Sequence, residues 1–81
     1  MLSLESRSKH SPEVIIHQLK SYFGGDGLGL KLEHDCDNFL TFVGGGGYVS
    51  ATLCTEGKQT VVGLETREWE VPVKKFAALE L

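Results

Sequence analysis

Residues 28 to 67 form four short stretches of apolar and polar residues separated by clusters of turn-forming residues. This pattern limits the possible folds more than any other feature of the chain. Leucines alternate with polar or small residues from 28 to 32, and the later stretches run over 39–43, 48–55 and 59–67. Alternation of this kind is typical of strands with one buried face. Because the connections are short, we predict that the four strands form an antiparallel meander.

Helix signals flank this region on its amino-terminal side. Ser11 is a favoured capping residue, Pro12 suits the first position of a helix, and Gly24 with Gly25 can end one. Apolar residues between these limits recur at helical spacing on one face, which predicts a helix over 12–23. Before it, residues 2–8 alternate with a period of two and predict a short edge strand.

The carboxyl-terminal segment changes from strand to helical spacing. Trp69, Val73 and Phe76 recur at i, i+4 and i+7, with Ala77 and Leu79 nearby, and Pro72 fits only the first turn of a helix. The final helix is therefore predicted to begin between 70 and 72. The sequence as a whole predicts one α+β domain over 1–81. Its element order is β-α-β-β-β-β-α, with both helices packed on one face of an antiparallel sheet.

The element order resembles that of TATA-binding-protein-like domains. It also resembles a minimal helix-grip fold of the Bet v 1 and polyketide cyclase group, in which a curved antiparallel sheet wraps a carboxyl-terminal helix. The resemblance covers the whole chain by element order and includes no family motif. It implies an apolar ligand between sheet and final helix as one function. This chain departs from the group in its shorter final helix and from the DNA-binding members in its acidic charge.

Charge and length restrict the partners. The chain has 11 acidic and 8 basic residues and a net charge of −3, without the basic stripe that nucleic-acid binding needs. No apolar run approaches the roughly 20 residues of a membrane span. Two cysteines and an amino terminus unlike a signal peptide favour a cytoplasmic protein. An 81-residue chain has a thin core, so we expect stabilisation by a second copy or another protein.

His34, Cys36 and Cys54 form the first candidate site. If the glycine run closes a hairpin that pairs Val43 with Tyr48, Cys54 lies opposite Asp37 and beside Cys36. Zinc accepts Cys and His ligands, but the C-x2-C spacing of structural zinc sites is absent. Free thiols, a disulfide and a weak metal site therefore remain as alternatives. We predict no resident metal or cofactor.

Gly44, Gly45, Gly46 and Gly47, with Tyr48 and Trp69, form the second candidate site. Glycine-rich loops can offer backbone N–H groups to an anion, but a strand follows here, whereas a P-loop leads into a helix. The structural alternative is a tight hairpin. Four glycines exceed the needs of a turn, so close approach of a ligand or another backbone is also indicated. Trp69 either anchors the final helix to the sheet or serves as an interface hot spot.

No nucleophile, base and orienting group occur in a recognisable relation, so the sequence names no catalytic residue and favours a role other than catalysis. The leading hypothesis is a small accessory or interaction domain that self-associates through exposed sheet surface or a sheet edge. The alternative is a module that binds a small apolar molecule between the sheet and the final helix.

Overall fold

The computed structural model describes residues 1–25, 27–36 and 38–81. Five strands and two helices follow the predicted order. They are β1 (Leu2–Ser8), α1 (Pro12–Phe23), β2 (Lys31–Cys36), β3 (Phe39–Gly44), β4 (Gly47–Glu56), β5 (Gln59–Arg67) and α2 (Glu70–Glu80).

The strands form one antiparallel sheet in the order β1-β5-β4-β3-β2. Strands β2 to β5 are neighbours in chain order, which confirms the predicted meander. The amino-terminal β1 joins the sheet beside β5, through an unbroken register from Leu2 opposite Thr66 to Ser8 opposite Thr60. The sheet therefore has two edges, β1 and β2.

Both helices pack on one face of the sheet, as predicted. Ile15, Leu19 and Phe23 of α1 and Val73 and Phe76 of α2 have no exposed surface. Three phenylalanine rings join the helices to the sheet: the Phe23 centroid lies 5.4 Å from that of Phe76 and 5.8 Å from that of Phe42 on β3. Such aromatic pairs add to the stabilisation from burial.

Local capping explains the bounds of α1, while α2 begins without a side-chain cap. The Ser11 hydroxyl accepts a 3.5 Å hydrogen bond from the Val14 N–H, and the Gly24 N–H donates to the Lys20 carbonyl. Helix α2 begins at Glu70, within the predicted range, and Pro72 lies in its first turn. Leu79 departs from the expected core, since it is 74% exposed on the side of α2 away from the sheet.

The prediction for the first strand of the meander was wrong in its position. Residues 28–30 belong to the connection that follows α1, where Leu28 is 40% exposed and Leu30 is buried outside any strand. The strand extends instead through Cys36, which was expected in a turn. A β-bulge between Leu32 and His34 places one extra residue on β2 and reverses which residues face the helices. Strict alternation cannot reveal such an insertion.

Candidate functional site

The glycine hairpin joins β3 to β4 through a two-residue loop. Gly44 pairs with Gly47, Val43 pairs with Tyr48, and the register between these strands is the predicted one. Gly45 and Gly46 both have positive φ, at 59° and 81°, as a type I′ turn requires. At Gly47 a side chain is excluded for another reason, because its Cβ would lie 2.1 Å from the Arg67 carbonyl oxygen. Turn geometry and the neighbouring backbone therefore account for these three glycines.

Trp69 packs against the same hairpin. Its indole N–H donates a 2.9 Å hydrogen bond to the Gly44 carbonyl, and a Cβ at Gly45 would meet the indole ring at 2.9 Å. The structure thus brings three of the predicted ligand-binding residues together. The indole fills the space beside Gly44 and Gly45, while a Cβ at Gly46 would have nothing within 4 Å. The tryptophan contact supports the anchoring role that the sequence left open.

Tyr48 lies on the opposite face of the sheet, which the helices leave uncovered. Its hydroxyl donates a 3.1 Å hydrogen bond to the Glu65 carboxylate, and its carbonyl accepts one of 2.7 Å from the Thr66 hydroxyl. The pKa of Tyr48 is raised, mainly by partial burial and then by the hydrogen bond to Glu65 and the charge of that carboxylate. The positive charge of Arg67 acts in the opposite direction. The phenol therefore stays protonated and keeps the Glu65 carboxylate oriented.

His34, Cys36 and Cys54 all belong to the uncovered side of the sheet but do not form one cluster. Cys36 pairs with Phe39, which pairs with Thr52, so Cys36 and Cys54 are separated by the width of β3 and by two residues along β4. Strand spacing makes their Cα atoms more than about 10 Å apart, whereas a disulfide needs about 7 Å or less. Both thiols are free and exposed.

The predicted register of β3 with β4 was confirmed. Cys36, however, ends β2, which lies on the far side of β3 from β4, so the two cysteines do not meet. The Leu53 N–H donates to the Asn38 carbonyl, so β3 and β4 are still opposed there. Asp37, which the sequence placed opposite Cys54, lies outside the described residues. Within the described part of the chain, no three His, Cys, Asp or Glu side chains are grouped to hold a metal.

The uncovered face carries a depression that sequence reasoning missed. It has a volume of about 430 Å³. Gly63 forms its floor on β5, with Thr52 opposite on β4 and Glu5 opposite on β1. The lining residues are Ser3, Leu4, Glu5, Phe39, Ser50, Thr52, Gly63, Leu64 and Glu65. A glycine inside a strand was the available signal, but only the strand order shows which side chains surround it.

Comparison with solved structures shows that the chain shares its shape with known proteins. No family model matches the chain, and the search of curated proteins finds no match. The solution structure of the Aha1 dimer from Colwellia psychrerythraea is 18% identical, with a TM-score of 0.54, over 100% of this chain and 98% of that one. The likeness shows the fold, an α+β arrangement that fits the predicted helix-grip resemblance. No helix among the described residues is long and apolar enough to cross a bilayer.

Proposed function

We propose that this chain is a small interaction domain that associates with a second copy of itself. The observation that carries the proposal is the uncovered side of the sheet. Both helices pack on the other face, so one whole face and the strand edges have no cover among the described residues. Phe39 is 37% exposed there, and Val43 and Val61 are only partly buried. Apolar residues of this kind in a sheet are common at protein interfaces.

Two further considerations support self-association. The neighbour of similar shape was solved as a dimer and is matched along almost its whole length. In addition, the core is small, with 13 buried apolar residues among those that the structure describes, so burial at an interface would stabilise the fold. We place this association in the cytoplasm, as free thiols favour a reducing compartment.

Sedimentation velocity over low-micromolar to sub-millimolar concentrations tests the proposal. We expect the average mass to rise from that of one chain towards that of two, with a reversible concentration dependence. A mass that stays at one chain throughout this range would contradict self-association. The same measurement at high salt separates charge-dependent from apolar contacts, because salt screens exposed charges.

A small-molecule site is the second candidate function, favoured by the depression on the uncovered face. The predicted position, between the sheet and α2, is filled by Val73 and Phe76. The depression over Gly63 has the volume of a small-ligand pocket, about 430 Å³. The Phe39 ring can contact an apolar group, while the carboxylates of Glu5 and Glu65 accept hydrogen bonds, so the site suits a small protonated amine that carries an aromatic ring.

Amide chemical shifts with added benzylamine test this second candidate. Binding should shift the signals of Thr52 and Gly63 at the floor of the depression. The substitution Gly63→Val should abolish these shifts by filling the space, because a Cβ at this position meets no atom closer than 3.9 Å. Shifts that persist in Gly63→Val, or that are centred on α2, would place the ligand elsewhere. An adjacent control is Cys54→Val, which lies on the same face but outside the lining residues.

A further inference from the structure

The two edges of the sheet differ in how well they can accept another strand. On β2 the bulge between Leu32 and His34 interrupts the ladder and twists the edge. Such bulges are a common way to block pairing with a second sheet. On β1 the register to β5 is regular over all seven residues, and no proline or bulge interrupts it. Strand β1 therefore offers the edge that can be extended.

Symmetry restricts how two β1 strands can pair. In an antiparallel pair, the backbone N–H and C=O groups of alternate residues point towards the partner. When two identical antiparallel strands are related by a twofold axis, the numbers of directly opposed residues must therefore add to an even sum. The axis then passes between one residue and its own copy in the partner. For β1 the central residue can be Leu4, Glu5, Ser6 or Arg7, each with a different set of opposed side chains.

Charge selects among these registers. Centring on Glu5 or Arg7 places each of these residues opposite its own copy, which is unfavourable for like charges. Centring on Leu4 leaves Glu5 opposite the partner's Ser3. Centring on Ser6 places Glu5 opposite the partner's Arg7 and, by symmetry, Arg7 opposite the partner's Glu5. This register alone forms two complementary cross-strand ion pairs.

We infer that two copies of this chain pair through β1, antiparallel and centred on Ser6, to form one continuous sheet of ten strands. The inference rests on the proposed self-association and specifies its surface and register. Glu5 and Arg7 both belong to the uncovered face, since they pair with Gly63 and Val61 of β5. On the other face, Leu4 lies opposite the partner's Ser8. The charges at the edge, which normally discourage pairing with unrelated strands, here favour one partner.

The existing contacts of Arg7 are compatible with this pairing. Its guanidinium lies 3.2 Å from the Glu56 carboxylate and remains about half exposed, as Arg7 is 49% and Glu56 61% exposed at the side chain. Glu56 lies on the β4 side of Arg7 and the partner's Glu5 would lie on the other side of β1, so on association Arg7 exchanges a solvent-screened carboxylate for that of the partner's Glu5. Glu5 lines the depression over Gly63, so the second copy would bring the partner's Arg7 to the rim of that depression.

Charge reversal tests the inference. The single substitutions Glu5→Arg and Arg7→Glu each place like charges at both symmetric pairs, and we expect each to raise the dissociation constant at least about ten-fold. Mixing the two variants should restore association as a heterodimer, because every opposed pair is then complementary. The double substitution Glu5→Arg with Arg7→Glu should also associate, since it exchanges the two charges. Restoration in the double variant distinguishes the Ser6-centred register from one centred on Glu5.

Two matched controls change charge elsewhere by the same amount. Glu33→Arg alters the bulged edge β2, and Lys58→Glu alters the turn between β4 and β5. Both should leave the dissociation constant unchanged. Far-UV circular dichroism verifies that each variant is folded before its association is measured.

Crosslinking at the twofold axis gives an independent test that does not depend on charge. Directly opposed residues of an antiparallel pair have Cα atoms about 4.5–5.5 Å apart, within reach of a disulfide. In a background carrying Cys36→Ser and Cys54→Ser, the substitution Ser6→Cys should therefore give a covalent dimer on mild oxidation. The control Ser8→Cys should not, because the two copies of position 8 lie roughly 13 Å apart along the strands.

The outcomes separate the inference from the proposed function. A wild-type chain that is monomeric at every concentration overturns both. A wild-type dimer that is insensitive to charge reversal in β1 and does not crosslink at position 6 overturns the inference and leaves self-association standing, through another surface. Loss with Glu5→Arg, recovery in the mixture and in the double variant, and crosslinking at position 6 support both.

Discussion

Glycines within strands serve different needs at different positions, and Gly47 and Gly63 show the contrast. At Gly63 a Cβ would make ordinary contacts, with the Thr52 carbonyl oxygen 3.9 Å away, and φ is not positive. At Gly47 a Cβ would lie 2.1 Å from the Arg67 carbonyl oxygen, which belongs to the backbone and cannot move aside cheaply. The fold therefore requires glycine at position 47. At position 63 the fold has room for a side chain, and the glycine leaves the depression open.

The same substitution at these two positions should have opposite effects on stability. Gly63→Ala is expected to raise the free energy of unfolding by about 0.4–1 kcal/mol, because it restricts the unfolded chain without strain. Gly47→Ala is expected to lower it by roughly 1–3 kcal/mol through overpacking. Urea denaturation followed by circular dichroism measures both. A destabilised Gly63→Ala variant would show that the depression has a structural role.

The Tyr48 phenol provides a second prediction at this scale. Its pKa is raised above the usual 10.0 by partial burial and by Glu65, so the folded state favours the protonated phenol. The resulting stabilisation is present below pH 10 and is lost as the pH rises through the folded-state pKa. Glu65→Gln should lower the pKa of Tyr48, since it removes the carboxylate charge. Ultraviolet titration of phenolate in a Tyr22→Phe background measures this shift, and an unchanged pKa would contradict the role of Glu65.

At the scale of elements, the sequence predicted what depends on local chemistry. Ser11 and Pro12 determine the start of α1, and the paired glycines determine the register of β3 with β4. The position of β2 could not be predicted, because the bulge near Glu33 arises from pairing with β3 and leaves no mark in the alternation. The depression and the separation of the two thiols depend on strand neighbours as well. Features that join distant parts of the chain therefore required the structure.

One contact between elements joins Asp35, which was expected in a turn but lies in β2, to the first helix. Its carboxylate is 2.9 Å from the Lys20 ammonium group, which ties edge strand β2 to α1. The side chains are 41% and 50% exposed, so solvent weakens the attraction. A double-mutant cycle with Lys20→Met and Asp35→Asn should give a coupling of about 0.2–1 kcal/mol that decreases with added salt. A much larger coupling, or one that salt does not change, would contradict a solvent-screened pair.

At the scale of the whole molecule, the two faces of the sheet differ in what covers them. The helix-covered face contains the aromatic core that holds the fold together, while the other face and the β1 edge remain available to partners. Because the amino-terminal strand is both an element of the fold and the proposed contact, association should stabilise the strand that makes it. Folding and self-association are then linked through β1.

This linkage predicts that thermal stability depends on protein concentration. A partner that binds only the folded chain stabilises it by mass action, so the Tm of the wild-type chain should rise as concentration increases above the dissociation constant. The Tm of Arg7→Glu should stay constant over the same range, because like charges oppose pairing at β1. Mixing Arg7→Glu with Glu5→Arg should recover the dependence. Differential scanning calorimetry over a wide concentration series makes the measurement, and a wild-type Tm that does not change would contradict a dimer that stabilises the fold.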